Sequence, residues 1–166
     1  MMARAHPTLA LRPFLPADAP ILVAIFRASI EELTEEDYNP AQQDAWASAA
    51  DDEELFGERL GSQLTILATL EGSPVGFVSL KGGKLIDMLY VHPVVAGQGV
   101  GALLYDAIEK LAAARGASHL SVDASDTSLG FFQRRGFAAQ QRNTVSVGNE
   151  WLSNTTMKKQ IKGAAA

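Results

Sequence analysis

Cysteine is absent from all 166 residues. Disulfides, thiolate metal sites and a cysteine nucleophile are excluded, which fits a cytoplasmic protein. Histidine is scarce: His6, His92 and His119 show no ligand spacing, so no metal is expected. Long apolar runs are missing too. None approaches the ~20 residues of a membrane-spanning helix, and Met1 to Ala10 carries no apolar leader. Positive charge is in deficit, with 14 Lys and Arg against 19 Asp and Glu and a net charge of -5. A nucleic-acid-binding face needs the opposite balance. Neither nucleic acid nor a membrane is an expected partner.

The remainder is ordinary globular material, 47% hydrophobic and 20% charged. One domain over residues 1–166 is expected, with loose tails at 1–7 and 161–166. Alternating Leu9 and Leu11 predict a strand over Thr8 to Phe14. Asp18 is the expected N-cap of a helix carrying Ile21, Leu22, Ile25, Phe26 and Ile30 at helical spacing. Short helices follow at Pro40 to Trp46 and Glu53 to Leu60. Gln63 to Leu70, Val75 to Lys81 and Leu85 to Val91 read as a meander, its first turn at Glu71-Gly72-Ser73-Pro74.

Val100, Leu103, Leu104, Ala107, Ile108 and Leu111 predict one buried helix face, closed by Gly116. A strand at His119 to Asp123 then returns parallel to its predecessor. Ser125 or Asp126 caps a last helix with Phe131 and Phe132, and a hairpin turns at Gly148-Asn149. The order is βαααβββαβαββ.

Chemistry concentrates where the strand ending at Val91 meets Gly97, Gly99 and Gly101. Alternating glycines at a helix start leave backbone N–H groups unshielded beside the positive end of the helix dipole, a ready phosphate site. A plain strand-to-helix turn needs only one such glycine. A P-loop fails, because no Lys-Ser/Thr pair follows. The dinucleotide fingerprint is met in relaxed form by Gly97, Gly99 and Ala102, but His92 to Ala96 intervene between strand and glycine, and no further βα repeats follow.

Val91-His92-Pro93, Gly97-Gln98-Gly99-Val100-Gly101, Leu103-Leu104, Phe131-Phe132 and Gly136-Phe137, in that order, resemble the acyl-CoA-binding core of the GNAT superfamily of N-acetyltransferases. Asp37 to Pro40, Ala45-Trp46, Val122 to Asp126 and Trp151 to Asn154 are similar to a subgroup of small bacterial members. The resemblance implies an α/β (α+β) fold with a mixed, mostly antiparallel sheet of about seven strands and helices on both faces. It implies acetyl-CoA as cosubstrate, its pyrophosphate on Ala96, Gly97, Gln98, Gly99, Val100 and Gly101. The pantetheine would lie along Leu89, Tyr90 and Val91, near Ser125 and Phe132, with the N–H of about Leu89 polarising the thioester. Two departures stand out. Ala96 occupies a position usually held by Arg or Gln, and Phe132 replaces the Tyr that often serves as acid.

Direct transfer to an amine in a ternary complex needs a base, an acid and an acceptor pocket. Asp87 is the carboxylate of an otherwise apolar strand, and strict alternation puts it on one face with Leu89 and Val91. A structural Asp is the competing reading, and Asp123 and Asp126 are the second choices for the base, with helix capping the rival reading of Asp126. Tyr38 is the candidate acid, and Tyr38, Trp46 and Asp123 the candidate acceptor wall. The expected function is acetyl transfer to the primary amine of a small molecule, by a monomer or homodimer. A non-catalytic acyl-CoA sensor is the alternative.

Overall fold

Glu71 and Gly72, with φ of 50° and 85°, form a two-residue turn of the twist that hairpins favour. Around it fold strands β2 (Leu64–Leu70) and β3 (Ser73–Lys81). The turn is tighter than expected, since Ser73 and Pro74 already pair with Leu70 and Thr69. Pro74 is tolerated because β4 (Leu85–Val91) reaches β3 only from Gly76 onward. The remaining strands are β1 (Leu9–Pro13), β5 (His119–Ser125), β6 (Ala138–Val147) and β7 (Glu150–Gln160). The helices are α1 (Ala19–Leu33), α2 (Pro40–Ala47), α3 (Glu53–Gly61), α4 (Val100–Ala114) and α5 (Leu129–Arg134).

The computed structural model describes residues 8–162. Its seven strands form one sheet in the order β1-β2-β3-β4-β5-β7-β6, parallel only between β4 and β5. The expected tail at 161–166 is corrected at its start, because the Ile161 N–H donates to the Ser118 carbonyl and its side chain packs on the core. Residues 1–7 and 163–166 lie outside the described part. No helix among the described residues is long and apolar enough to cross a membrane.

Helices cover both faces. On one, α1 and α3 bury Leu22, Ile25, Phe26, Ile30, Phe56 and Leu60 against Leu67, Phe77 and Met88. On the other, α4 and α5 pack Leu104, Ile108 and Phe132 against Val78, Leu80, Ile86, Leu120 and Val122. The α4 stripe is rotated from the expected one. Tyr105 and Ala112 are buried whereas Leu111 is exposed, so the seam follows 100, 104, 105, 108 and 112.

Asp18 stands at the N-cap position of α1, as expected, but its side chain makes no capping bond. Its carboxylate takes two bonds from the Arg12 guanidinium at 2.7 and 2.8 Å and one from the Leu15 N–H at 2.8 Å. The turn Pro16–Asp18 is thereby tied to β1, and the Arg12 bonds hold the Asp18 carboxyl below the usual carboxylate range. A lowered folded pKa contributes stability that is complete above the unfolded value and is lost as pH falls through the folded one.

Asp18→Ala is expected to cost about 1–3 kcal/mol at pH 7, with the difference from wild type shrinking toward pH 3 in urea titrations. Gly76 is a second sensitive point, because a Cβ there would stand 3.1 Å from Leu104 Cδ1 and the Tyr90 carbonyl and 3.2 Å from Val100 Cγ1. Gly76→Ala should lower the urea midpoint, with a loss of about 1–3 kcal/mol from overpacking under α4.

Candidate active site

β4 and β5 pair at only two positions, Leu85 with Ser121 and Ile86 with Val122. Beyond these β5 stays with β7 as far as Ser125 and Asn154, while β4 follows β3 to Val91. The β4 register shifts between Ile86 and Met88, leaving Asp87 as an unpaired bulge that bends the strand. A wedge opens between the strands. It forms a cavity of about 620 Å³, with the glycine run and α5 at one end and Tyr38, Trp46, Val145 and Leu152 at the other.

At the glycine end, the buried side chain of Val95 anchors a 3₁₀ turn (Pro93–Val95) that leads into the run. The His92 ring takes a structural part there, its Nδ1 accepting from the Val94 N–H at 3.1 Å. Gly97 and Gly99 have φ of 78° and 84°, and a Cβ on either would meet nothing within 4 Å. Gly99 is the N-cap of α4, with no side-chain cap and no acidic residue in the first turn. The N–H groups of Val100 and Gly101 belong to the first helical turn, which has no partner within the helix. Gly101 serves closeness instead: a Cβ would stand 3.3 Å from the Phe131 ring. Arg134 and Arg135 line this end as well, so positive charge surrounds an uncapped helix start.

Leu89, Tyr90, Val91, Ala96, Gly97, Gly99, Val100, Gly101, Ser125 and Phe132 all line the cavity. Gln98 does not join them. Its amide donates to the Val94 carbonyl at 3.3 Å and its backbone N–H to the Val95 carbonyl at 3.2 Å. The loop therefore spends Gln98 on its own shape and cannot use it to fill the space beside Ala96. Ser125 caps the turn before α5, its Oγ accepting from the Ser128 N–H. Asp126 instead pairs with Arg142. Phe132 is buried against Phe131, Phe137 and Tyr105.

The other end is aromatic. Trp46 meets Tyr38 edge-on at 5.3 Å and Tyr90 at 6.3 Å, and its Nε1–H donates to the Tyr90 hydroxyl at 3.1 Å. Burial pushes the Tyr90 phenol up to about 12, against the opposing pull of the Trp46 bond. Tyr38 holds chain segments together: its hydroxyl donates to the Ser153 carbonyl at 2.7 Å and accepts from the Asp126 N–H at 3.0 Å. Burial raises its pKa. With its one proton committed to Ser153, Tyr38 is a structural strut at the aromatic end of the cavity.

The expected alignment of Asp87 with Leu89 and Val91 is corrected by the bulge. Leu89 and Val91 pack toward α4, whereas Met88 and Tyr90 face α1 and α3. Asp87 points to that second side, where Oδ2 accepts from Arg59 Nε at 2.9 Å and Gln63 Nε2 at 2.8 Å. It therefore shares a face with Tyr90. Asp123 lies on the same face of the sheet, since Leu120, Val122 and Ala124 turn the other way into the α4 core. Arg59, Gln63 and the Tyr90 hydroxyl are functional groups that alternation along the strand concealed. Arg134-Arg135, the short basic run just before Gly136, lines the same cavity as the glycine run.

The glycine end can hold an anion, the open edge of β4 an extended chain, and the aromatic end a small polar head. A family model described as an acetyltransferase (GNAT) domain matches residues 34–161. The N-acetyltransferase YafP of Escherichia coli (strain K12) is 33% identical over 148 residues, 89% of this chain and 93% of that protein. The peptidyl-lysine N-acetyltransferase YjaB of Salmonella typhimurium is 31% identical over 127 residues, 75% of this chain and 79% of its own. A solved GCN5-related N-acetyltransferase from Rhodopseudomonas palustris is 60% identical, with a TM-score of 0.90 over 97% of this chain and 99% of that one. The chain belongs to the GNAT family of acetyltransferases.

Proposed function

We propose that the protein transfers an acetyl group from acetyl-CoA directly to a primary amine of a small molecule, within a ternary complex. The observation that carries this reading is the uncapped start of α4, where Gly97, Gly99, Val100 and Gly101 face the mouth of the β4–β5 wedge. Pyrophosphate fits these N–H groups and the adjacent Arg134 and Arg135. The pantetheine arm fits the β5-facing edge of residues 87–91, which carries no strand. The thioester supplies the activated acetyl group, and the backbone N–H near Leu89 is placed to polarise its carbonyl.

Ala96 adds no side-chain donor, so affinity rests on backbone groups and the two arginines. Phe132 offers no proton, so the departing sulfur takes one from solvent or from the reacting nitrogen. The aromatic end, with Tyr38, Trp46 and Tyr90, takes the acceptor. A second acceptor class, the lysine side chain of a peptide, is favoured by the name of the Salmonella relative. Both present the same primary amine.

Thiol release from acetyl-CoA across small amines and lysine peptides tests the activity. Faster release with a small amine than with any lysine peptide is expected. Background release under every acceptor would leave only an acyl-CoA-binding sensor. By calorimetry, Gly99→Asp should weaken acetyl-CoA binding by at least about 100-fold, since it sets a carboxylate against phosphate. Gly99→Asn, which tolerates the same positive φ, should retain most of the affinity. Equal losses in both would move the cause from charge to backbone strain.

A further inference from the structure

Asp87 and Asp123 are the two carboxylates lining the cavity, and they face the same side of the sheet. Register places them side by side: each directly follows a member of the last β4–β5 pair, Ile86 with Val122. Their surroundings differ. Asp87 Oδ2 is bonded by Arg59 and Gln63, and the Arg59 Nη2 contact is 2.9 Å. An ammonium arriving at Asp87 would compete with a guanidinium already in place. Asp126, the next carboxylate along, is held by Arg142.

Asp123 forms no ion pair among the described residues. Lys158, paired with Ser121 on the same face, forms none with it. The exposed Asp123 carboxylate takes one bond, from Thr156 Oγ1 to Oδ1 at 2.7 Å. Thr156 Oγ1 accepts from Asn143 Nδ2 at 2.8 Å, and that amide also donates to Asn154 Oδ1 at 2.9 Å. A hydroxyl has a single proton. With the Asn143 N–H on its lone pair, Thr156 directs that proton to Asp123. The relay runs one way and fixes Oδ1, leaving Oδ2 to meet a cation where the two strands part.

We propose that Asp123, and not Asp87, receives the ammonium of the acceptor and takes its proton, with Thr156 and Asn143 as positioning residues. The assignment rests on the transfer reaction proposed above. As an N–H bond of the ammonium breaks, its electrons stay on nitrogen and the proton goes to Asp123. The nitrogen pair forms the C–N bond at the thioester carbon. The C–S electrons leave with sulfur, which picks up the second proton lost by nitrogen, and Asp123 returns the first to solvent. The acceptor class is therefore a primary amine that arrives charged, carried on an apolar or aromatic body that suits Tyr38, Trp46 and Tyr90.

Calorimetry with 2-phenylethylamine and Nα-acetyl-lysine amide, each with and without saturating CoA, tests the contact apart from turnover. Asp123→Asn is expected to weaken amine binding by about tenfold or more, with unchanged acetyl-CoA affinity, and Asp87→Asn to weaken it by a smaller factor. In turnover, the Asp123→Asn rate should climb about tenfold per pH unit below the pKa of the amine, because only free amine then reacts, while wild type stays nearly flat. Thr156→Val should raise the amine KM more than it lowers kcat, and Thr156→Ser should restore it. The assignment is overturned if wild type binds neither amine, if Asp87→Asn shows the larger loss, or if the Asp123→Asn pH profile matches wild type. Amine binding through Asp123 in a protein that takes no acetyl-CoA would support this contact and remove the transfer reaction.

Discussion

The parting of β4 and β5 after Ile86 and Val122 is the constraint on which the site depends. Two parallel strands would ordinarily continue their ladder and satisfy each other's backbone groups. Here each strand is claimed more strongly by its antiparallel neighbour. β5 pairs along its whole length with β7, and β4 pairs with β3 up to Val91. Beyond the fork the two strands stay linked through the α4-side core, which holds Leu89 and Val91 of β4 and Ala124 of β5, rather than through a ladder. An open backbone edge remains inside an otherwise covered sheet, where an extended ligand can take the place of a strand.

Charge is sorted along that wedge. The positive helix start with Arg134 and Arg135 lines one part of it, and Asp87 and Asp123 stand at the fork. Two of the carboxylates near the site are already paired, Asp87 with Arg59 and Asp126 with Arg142. The groups without an opposite charge are then the informative ones. At the glycine end these are the uncapped backbone donors with Arg134 and Arg135, and at the fork it is Asp123.

The fold was largely legible in the residues. Period-3.6 stripes, the Gly-rich punctuation and the spacing of Leu85 to Gly116 suffice for element order and for the parallel return of β5. Less was legible where a residue's partner is distant. Asp18 reads as an N-cap because capping is local, yet Arg12 on β1 claims its carboxylate. Tyr38 reads as the candidate acid, yet its hydroxyl already donates to the carbonyl of Ser153, 115 positions away. Gln98 reads as a ligand group because it sits among glycines, yet the nearer Val94 carbonyl captures it. In each case local pattern identified the element, and a tertiary hydrogen bond decided the use of the side chain.

Asp87 shows the most consequential form of this. Strand alternation is an argument about parity, and one inserted residue reverses it for everything on one side. The bulge at Asp87 leaves Ile86 and Leu89 facing α4 while turning Asp87 and Met88 together toward α1 and α3. No composition rule marks it, because Asp in a strand is equally consistent with a surface position. Once turned, Asp87 lies within reach of Arg59 in the last turn of α3, and the bulge that widens the wedge also removes its nearest carboxylate from easy use. Under the proposed reaction, the room for the cofactor between β4 and β5 and the choice of Asp123 over Asp87 both trace to one extra residue in β4.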